Sequence, residues 1–424
     1  MRKTIWIMNH YATNSYFNRG GRHYWFAKNL INEGYKVSIF CANTRHNSND
    51  QIEVGNSKYV TNEIDNIPYI FIRTKPSKGN GLDRIKNMVY FYRNLKKTAK
   101  LFIKNGTKPD LILASSVHPL TLVAGLKIGK RYNIPVICEI RDLWPEAIFA
   151  FNKAKEKSII GKLLIKGEHW IYKNADSLIF TKEGDTDYLK EKKWDKNSGG
   201  DIDLDKCYYI NNGLDVDDYS KSVRTFTLED VDLNSNKFKV VYAGAIRPVN
   251  NIDKLIEASR LLKNHDDIIF LIYGEGIQKQ EFDVFIQKHK LDNVVMKGFV
   301  NKKYIPFILS KSSVNILNYS QSRYNWNRGN SSNKLFEYMA SGKPIIATVK
   351  MGYSPFERYN FGIEIEDAKP QDVADAILKI KRMDKSEYDL LSLNAKKASY
   401  NYDFKKHTKE LIKIINDNLE EKND

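Results

Sequence analysis

Cysteine is scarce in the 424-residue sequence, which holds only Cys41, Cys138 and Cys207. They are odd in number, far apart and without a CxxC pair. That excludes a disulfide framework and a cysteine zinc site, and it suits a reducing cytoplasm. No apolar run approaches the ~20 residues of a membrane span. The opening MRKTIWIM is too short in apolar residues for a signal peptide and reads as a first strand. HExxH, GxSxG and GxGxxG are all missing. Ser341-Gly342-Lys343-Pro344 lacks the earlier glycine and final Ser/Thr of a P-loop, and it ends a helical pattern instead of starting one. No tandem repeat of 20–50 residues is visible.

What is abundant is positive charge, and it is one-sided. The formal net charge is +17, and residues 1–200 hold 34 Lys and Arg against 18 Asp and Glu. Residues 201–424 hold 34 against 33 and are almost neutral. The basic half is expected to face something anionic.

Strand-like runs alternate with helical patterns in both halves. Thr4–Met8, Lys36–Phe40, Leu111–Ala114, Val136–Ile140 and Ser177–Phe180 read as strands of the first. Tyr24–Glu33 and Leu120–Arg131 read as its helices. The second half restarts at Phe238–Tyr242. It continues through helix Ile252–Lys263, strand Ile268–Tyr273, helix Gln278–His289 and strand Val294–Lys297. This alternation predicts two α/β domains with parallel sheets. The boundaries expected are 1–212 and 213–399, with a last helix in 400–424 returning to the first domain. Residues 191–206 read as a polar surface loop.

The stretch SSNKLFEYMASGKP, residues 331–344, has both helix ends marked, by Ser/Asn before it and by Gly342 and Pro344 after it. Glu337 sits inside it, yet no cap residue lies three positions upstream as a capping box requires. Local helix chemistry leaves that carboxylate without a purpose, apart from an i,i+3 pair with Lys334. Four pieces fall where parallel sheets bind ligands, at strand ends and helix starts: Gly20-Gly21, Gly244–Arg247, Gly274–Gly276 and Ser331–Lys334.

Seven segments in order carry a resemblance: NRGGRHYWFAKNLINEGYKVSIF, SSVHPLTLVAGL, EIRDLWPE, YYINNGLDVDDY, YAGAIRPVNNIDKLIEA, LIYGEGIQK and NVVMKGFV. With the 331–344 stretch they resemble retaining nucleotide-sugar glycosyltransferases of family 4, bacterial surface-polysaccharide branch, with fucosamine-transferase-like members nearest. The resemblance implies a GT-B fold, two Rossmann-like doubly wound domains facing across a cleft. It implies that Glu337 holds the donor ribose, a contact suited to a charge-assisted hydrogen bond. Lys334 and Arg247 would neutralise the diphosphate, with Gly20, Gly21, Gly244, Gly274, Asn330, Ser331, Ser332 and Asn333 lining the donor. Phe299 and Val300 would meet the base, and His118 the donor sugar. Glu139, Arg141 and Asp142 would order the acceptor or form a structural ion-pair cluster. His118 also reads as a packed or capping histidine. The sequence departs from the family at Gly329, where a second acid is usual. It also has Ala245 and Asn250 where Arg and Lys are usual.

The function expected is transfer of a sugar from a nucleoside-diphosphate sugar, UDP-linked, to a lipid-linked glycan in capsule, O-antigen or related polysaccharide synthesis. The enzyme would be peripheral on the inner face of the cytoplasmic membrane, with no cofactor, metal or nucleic acid. Asp201-x-Asp203-x-Asp205 and Asp215-x-Asp217 read as solvated turns and not as a metal-binding aspartate pair. The basic, partly aromatic stripe Lys86, Tyr90, Arg93, Lys97, Lys100 and Lys104 suits an anionic membrane surface. Ile85, Met88, Val89, Tyr92, Leu95, Ala99, Phe102 and Ile103 form the stripe expected to face the core. A GT-B nucleotide-sugar epimerase and a non-catalytic nucleic-acid-binding protein are the alternatives.

Overall fold

Runs of β-branched and aromatic residues form strands wherever both faces can be buried. The computed structural model describes residues 2–45, 48, 50–77, 79, 81–150, 155–322 and 325–420. The chain divides into two compact units, Met1–Asn211 with Phe404–Asp424, and Asn212–Asp403.

In the first unit the strands are β1 (Thr4–Met8), β2 (Lys36–Ala42), β3 (Tyr59–Ile64), β4 (Ile67–Ile72), β5 (Leu111–Ser115), β6 (Val136–Ile140), β7 (Ser177–Phe180) and β8 (Cys207–Tyr209). Their order is β3-β4-β2-β1-β5-β6-β7-β8. The pairs are parallel except the β3–β4 edge hairpin. Asp65 and Asn66, both at positive φ, turn that hairpin in the sense strand twist favours. Helices Leu82–Lys104, Pro119–Tyr132 and Ile159–Asn174 cover one face of the sheet around Phe91, Leu122 and Ile171. Helices Arg22–Asn32 and Phe404–Glu420 cover the other, where Phe26 packs edge-on against Phe404.

The second unit holds β9 (Phe238–Ala243), β10 (Ile268–Tyr273), β11 (Val294–Gly298), β12 (Val314–Leu317), β13 (Ile345–Ala347) and β14 (Gly362–Glu364). All are parallel, in the order β11-β10-β9-β12-β13-β14. Helices Ile252–Leu261 and Pro370–Arg382 pack on one face, and Asn333–Ala340 and Lys385–Ser399 on the other.

Strand order reverses between β1 and β5 and between β9 and β12, so each unit has a topological switch point. Ligands of open parallel sheets bind there.

Three expectations need correcting. Gly20-Gly21 follow a short helix, Thr13–Asn18, and do not connect directly to the first strand. Residues 191–206 are less loop-like than their polarity suggests. Asp195 and Ile202 are buried, and the segment carries two short 3-10 turns. Ile85 is exposed, although Met88, Leu95 and Ala99 on the same stripe are buried as periodicity requires.

Candidate functional site

The switch point of the second unit is built from close approaches at three glycines. Gly244 follows β9; a Cβ there would overlap the Lys334 side chain and the Tyr242 hydroxyl. Gly274 follows β10 at φ +151, where a Cβ would run into the Gly244 carbonyl. A Cβ on Gly276 would strike the Ile246 carbonyl. Backbone bonds lock these loops together: Gly244 N–H donates to Tyr273 O at 2.9 Å, Ile246 N–H to Glu275 O at 2.9 Å, and Gly274 N–H to Gly298 O at 2.8 Å. At Gly274 and Gly276, where the obstacle is backbone, only glycine permits such packing.

Lys334 reaches this cluster from the first turn of the helix Asn333–Ala340. Its ammonium lies 3.2 Å from the Tyr242 hydroxyl, 5.0 Å from that ring and 4.8 Å from the Tyr319 ring. Tyr242 in turn donates to Ala245 O at 2.9 Å and accepts from Asn250 Nδ2 at 2.8 Å. Asn250, standing where the family resemblance expects lysine, therefore holds the tyrosine that holds Lys334. Desolvation lowers the Lys334 pKa to about 8, Glu337 opposes the shift and Arg247 adds to it. Arg247 itself is exposed, so this end of the sheet combines one half-buried and one open cation.

Glu337 lies one turn inside the same helix and is partly exposed, 3.4 Å from the Lys302 ammonium. Its i,i+3 neighbour Lys334 is turned towards Tyr242 instead. Ser332 occupies the N-cap without a side-chain bond to the helix. Its hydroxyl lies 2.7 Å from that of Tyr319, and its amide donates to Asn330 Oδ1 at 3.1 Å. The Ser332 amide is thus engaged within the loop. Ser331 O accepts from Asn212 Nδ2 at 2.8 Å, and Asn333 is exposed at the helix start. Gly329 has φ +97, a backbone that a side chain would strain, so glycine in place of the usual acid follows from the turn. Beyond Gly298, Phe299 is exposed and Val300 packs against the core.

In the first unit the predicted residues gather in a buried polar network. Glu139, fully buried, accepts from Arg22 Nε at 2.7 Å and from Ser115 Oγ at 2.7 Å, with His23 Nε2 at 3.5 Å. Burial would raise its pKa, but Arg22 and His23 overcome this and hold it well below the usual carboxylate range. Glu139 is therefore the centre of a buried ion pair with Arg22, a residue outside the Glu139, Arg141 and Asp142 group named from sequence. Arg22 also donates to the carbonyls of Asn211 and Ile210. It follows Gly21, whose φ of +92 opens the helix Arg22–Asn32. Gly20 packs near Trp25.

His118 is the N-cap residue of the helix Pro119–Tyr132, and its ring is fully buried. Its Nε2 lies 2.5 Å from His10 Nδ1, and His10 stacks on Phe91 at 4.3 Å. Burial, with Arg84 adding, lowers the His118 pKa to about 3, so the ring is neutral. Arg141 N–H donates to Ser116 Oγ at 2.9 Å, and Asp142 is exposed beside it. Arg22, His10, Tyr242 and Tyr319 were not singled out by sequence reading. Among them only Arg22 gives a signal, its place directly after a glycine pair.

The aspartate series are accounted for. Asp201 pairs with Lys173 and His169, Asp203 with Lys196, and Asp215 caps the helix Val216–Thr225 by accepting from Asp218 N–H. Among the described residues no group of three or more His, Cys, Asp and Glu side chains is placed to hold a metal ion. Among them too, no helix is long and apolar enough to cross a membrane.

Two Rossmann-like parallel-sheet units define the GT-B architecture, and solved structures share it. Sucrose-phosphate synthase from Thermosynechococcus elongatus is similar over 98% of this chain and 99% of its own, at 16% identity and a TM-score of 0.71. Anabaena HepE, solved with UDP, is similar over 98% and 100%, at 14% identity and a TM-score of 0.66. Residues 24–218 match the model of Glycosyltransferase Family 4, and residues 223–398 that of Glycosyl transferases group 1. The chain thus carries a family 4 and a group 1 glycosyltransferase domain. A curated relative is Bacillus subtilis TuaH, named as a teichuronic acid biosynthesis glycosyltransferase. It is 26% identical over 215 residues, half of this chain and half of that protein.

Proposed function

We propose that the protein transfers a sugar, with retention of configuration, from a UDP-sugar to a lipid-linked glycan acceptor in surface-polysaccharide synthesis. The observation that carries this is the convergence on one strand-end cluster of Gly244, Gly274, Lys334 and Arg247, with Glu337 one turn further along the helix. The cluster offers glycine-lined backbone and two cations to a diphosphate, and a carboxylate to the vicinal ribose hydroxyls. The UDP complex of HepE and the polysaccharide role in the name of TuaH support the choice of donor and pathway class.

In the proposed reaction the sugar C1–O bond to the diphosphate breaks as the acceptor oxygen bonds to the same face of C1. The acceptor proton passes to the departing phosphate oxygen. Lys334 and Arg247 stabilise the charge that develops there, a preorganised electrostatic effect, and no metal is required. Arg141 and Asp142 of the first unit are the residues proposed to order the acceptor. The enzyme works on the inner face of the cytoplasmic membrane, drawn there by the first unit's positive charge.

The test is turnover of UDP-sugars with a polyprenyl-linked acceptor in the presence of EDTA. Transfer to the acceptor that survives chelation supports the reading. Activity lost to EDTA and restored by magnesium or manganese contradicts the metal-free mechanism. Conversion of the UDP-sugar without an acceptor points to an epimerase.

A further inference from the structure

The first unit holds a cavity of about 200 Å³ that the chemistry above does not use. This is far more than the ~10–15 Å³ a single water needs. It lies among the helices Pro119–Tyr132, Trp144–Ala150 and Ile159–Asn174, just beyond the ends of β5 and β6. Leu120, Val123, Trp144, Pro145, Leu163 and Leu164 make its apolar walls. Glu168, a buried polar group of its lining, has both carboxylate oxygens engaged, by the hydroxyls of Tyr172 and Tyr188 at 2.7 Å each. That carboxyl therefore asks for no further polar partner.

The rim is unusual for a soluble surface. Ile159 is 80% exposed, Ile160 65% and Leu163 64%. Ile159, Leu163 and the exposed Trp170 fall on one helical face by their spacing. Lys155, Lys157, Lys162 and Lys166 are exposed around this apolar strip. A cluster of large aliphatic side chains flanked by lysines, on the half of the chain with a net charge of +16, complements an anionic lipid surface. Asp142 lines the same cavity. A chain lying in it would have its head group beside Arg141 and Asp142.

We propose that this cavity binds the hydrocarbon chain of the lipid that carries the acceptor sugar, with Ile159, Ile160 and Leu163 seated in the membrane interface. The assignment rests on the reading of a lipid-linked acceptor and adds where that lipid's chain is held.

Gly167 offers a direct test. It lines the cavity, and a Cβ there meets nothing within 4 Å. Gly167→Leu thus adds a bulky side chain at the cavity wall without a clash at its Cβ. Wild-type protein should bind dansylaminoundecanoic acid saturably, with the brightening of an apolar environment, and should not bind chainless dansylglycine. A polyprenyl phosphate should displace the probe. Gly167→Leu should weaken probe binding about tenfold, the effect of excluding a few methylene groups, at unchanged melting temperature and unchanged UDP affinity. Equal probe binding by the variant, or none by the wild type, overturns the assignment. Displacement as strong by phosphatidylglycerol assigns the cavity to bulk lipid and overturns the acceptor. UDP titrations on the same samples separate the two readings. UDP binding without probe binding defeats only the cavity. Probe binding without UDP binding defeats the transferase reading and leaves a chain-binding site.

Discussion

The Lys334 ammonium donates to the phenolic oxygen of Tyr242 across 3.2 Å, and so a cation at a helix start is tied to the last strand residues before Gly244. Desolvation has brought its pKa down to about 8. A bound diphosphate should restore the proton, because an adjacent opposite charge favours the charged form. UDP binding is therefore expected to take up protons between about pH 7.5 and 9, and affinity should fall as the pH rises through that window. Calorimetry near pH 8 in buffers of different ionisation heat should give different apparent enthalpies for the wild type and equal ones for Lys334→Met. Equal enthalpies for the wild type would remove Lys334 from the diphosphate.

Gly244→Ala tests the same contact from the other side. The added methyl would overlap the Lys334 side chain, so the lysine must leave Tyr242. UDP affinity should drop by about tenfold or more, with a far smaller change in melting temperature. Unchanged affinity would show that Lys334 is not held for a ligand.

Much of this arrangement was legible in the sequence, and the reasons are physical. β1, β5, β6, β7, β9 and β10 are largely apolar runs because both faces are covered, and their limits agree with the structure to within a residue or so. The β3–β4 hairpin was not legible. Pro68 and the polar Asn62 and Glu63 obscure its alternation, and its turn is Asp-Asn without glycine. The glycine loops and the Glu337 helix were legible because strained backbone and helix ends need particular residues. The buried network of Arg22, His23, Ser115 and Glu139 was not, because its partners lie from 24 to 117 positions apart. Nor does spacing reveal that Phe299 would be exposed while Ile85 leaves the core face.

Glu168 should make stability pH-dependent. Burial raises its pKa from 4.5 to about 7, while hydrogen bonds from Tyr172 and Tyr188 pull downward; Glu146 adds to the rise and Lys192 opposes it. A carboxyl with a raised folded pKa binds its proton more tightly folded than unfolded. Its contribution is therefore lost as pH rises from about 4.5 to 7. Glu168→Gln should gain on the wild type across that interval and run parallel to it above. Parallel melting temperatures throughout would contradict the assignment.

Lys86, Tyr90, Arg93, Lys97, Lys100 and Lys104 are all exposed along the helix Leu82–Lys104. Each cation near an anionic bilayer contributes about 1 kcal/mol, decaying within a Debye length. Sedimentation with phosphatidylglycerol vesicles should fall with salt and fall sharply when Arg93, Lys97 and Lys100 become glutamate. Equal recovery with phosphatidylcholine vesicles would show that charge does not recruit the protein.

The central claim is that the second unit holds a nucleoside diphosphate with Glu337 on its ribose, and UDP calorimetry on the wild type and Glu337→Ala tests it most directly. Loss of a charge-assisted hydrogen bond costs about 1.5–3 kcal/mol, which is roughly a 10- to 150-fold rise in Kd. The partly exposed side chain should leave the melting curve unmoved. Equal UDP affinity in the two proteins, with equal melting curves, would contradict the account.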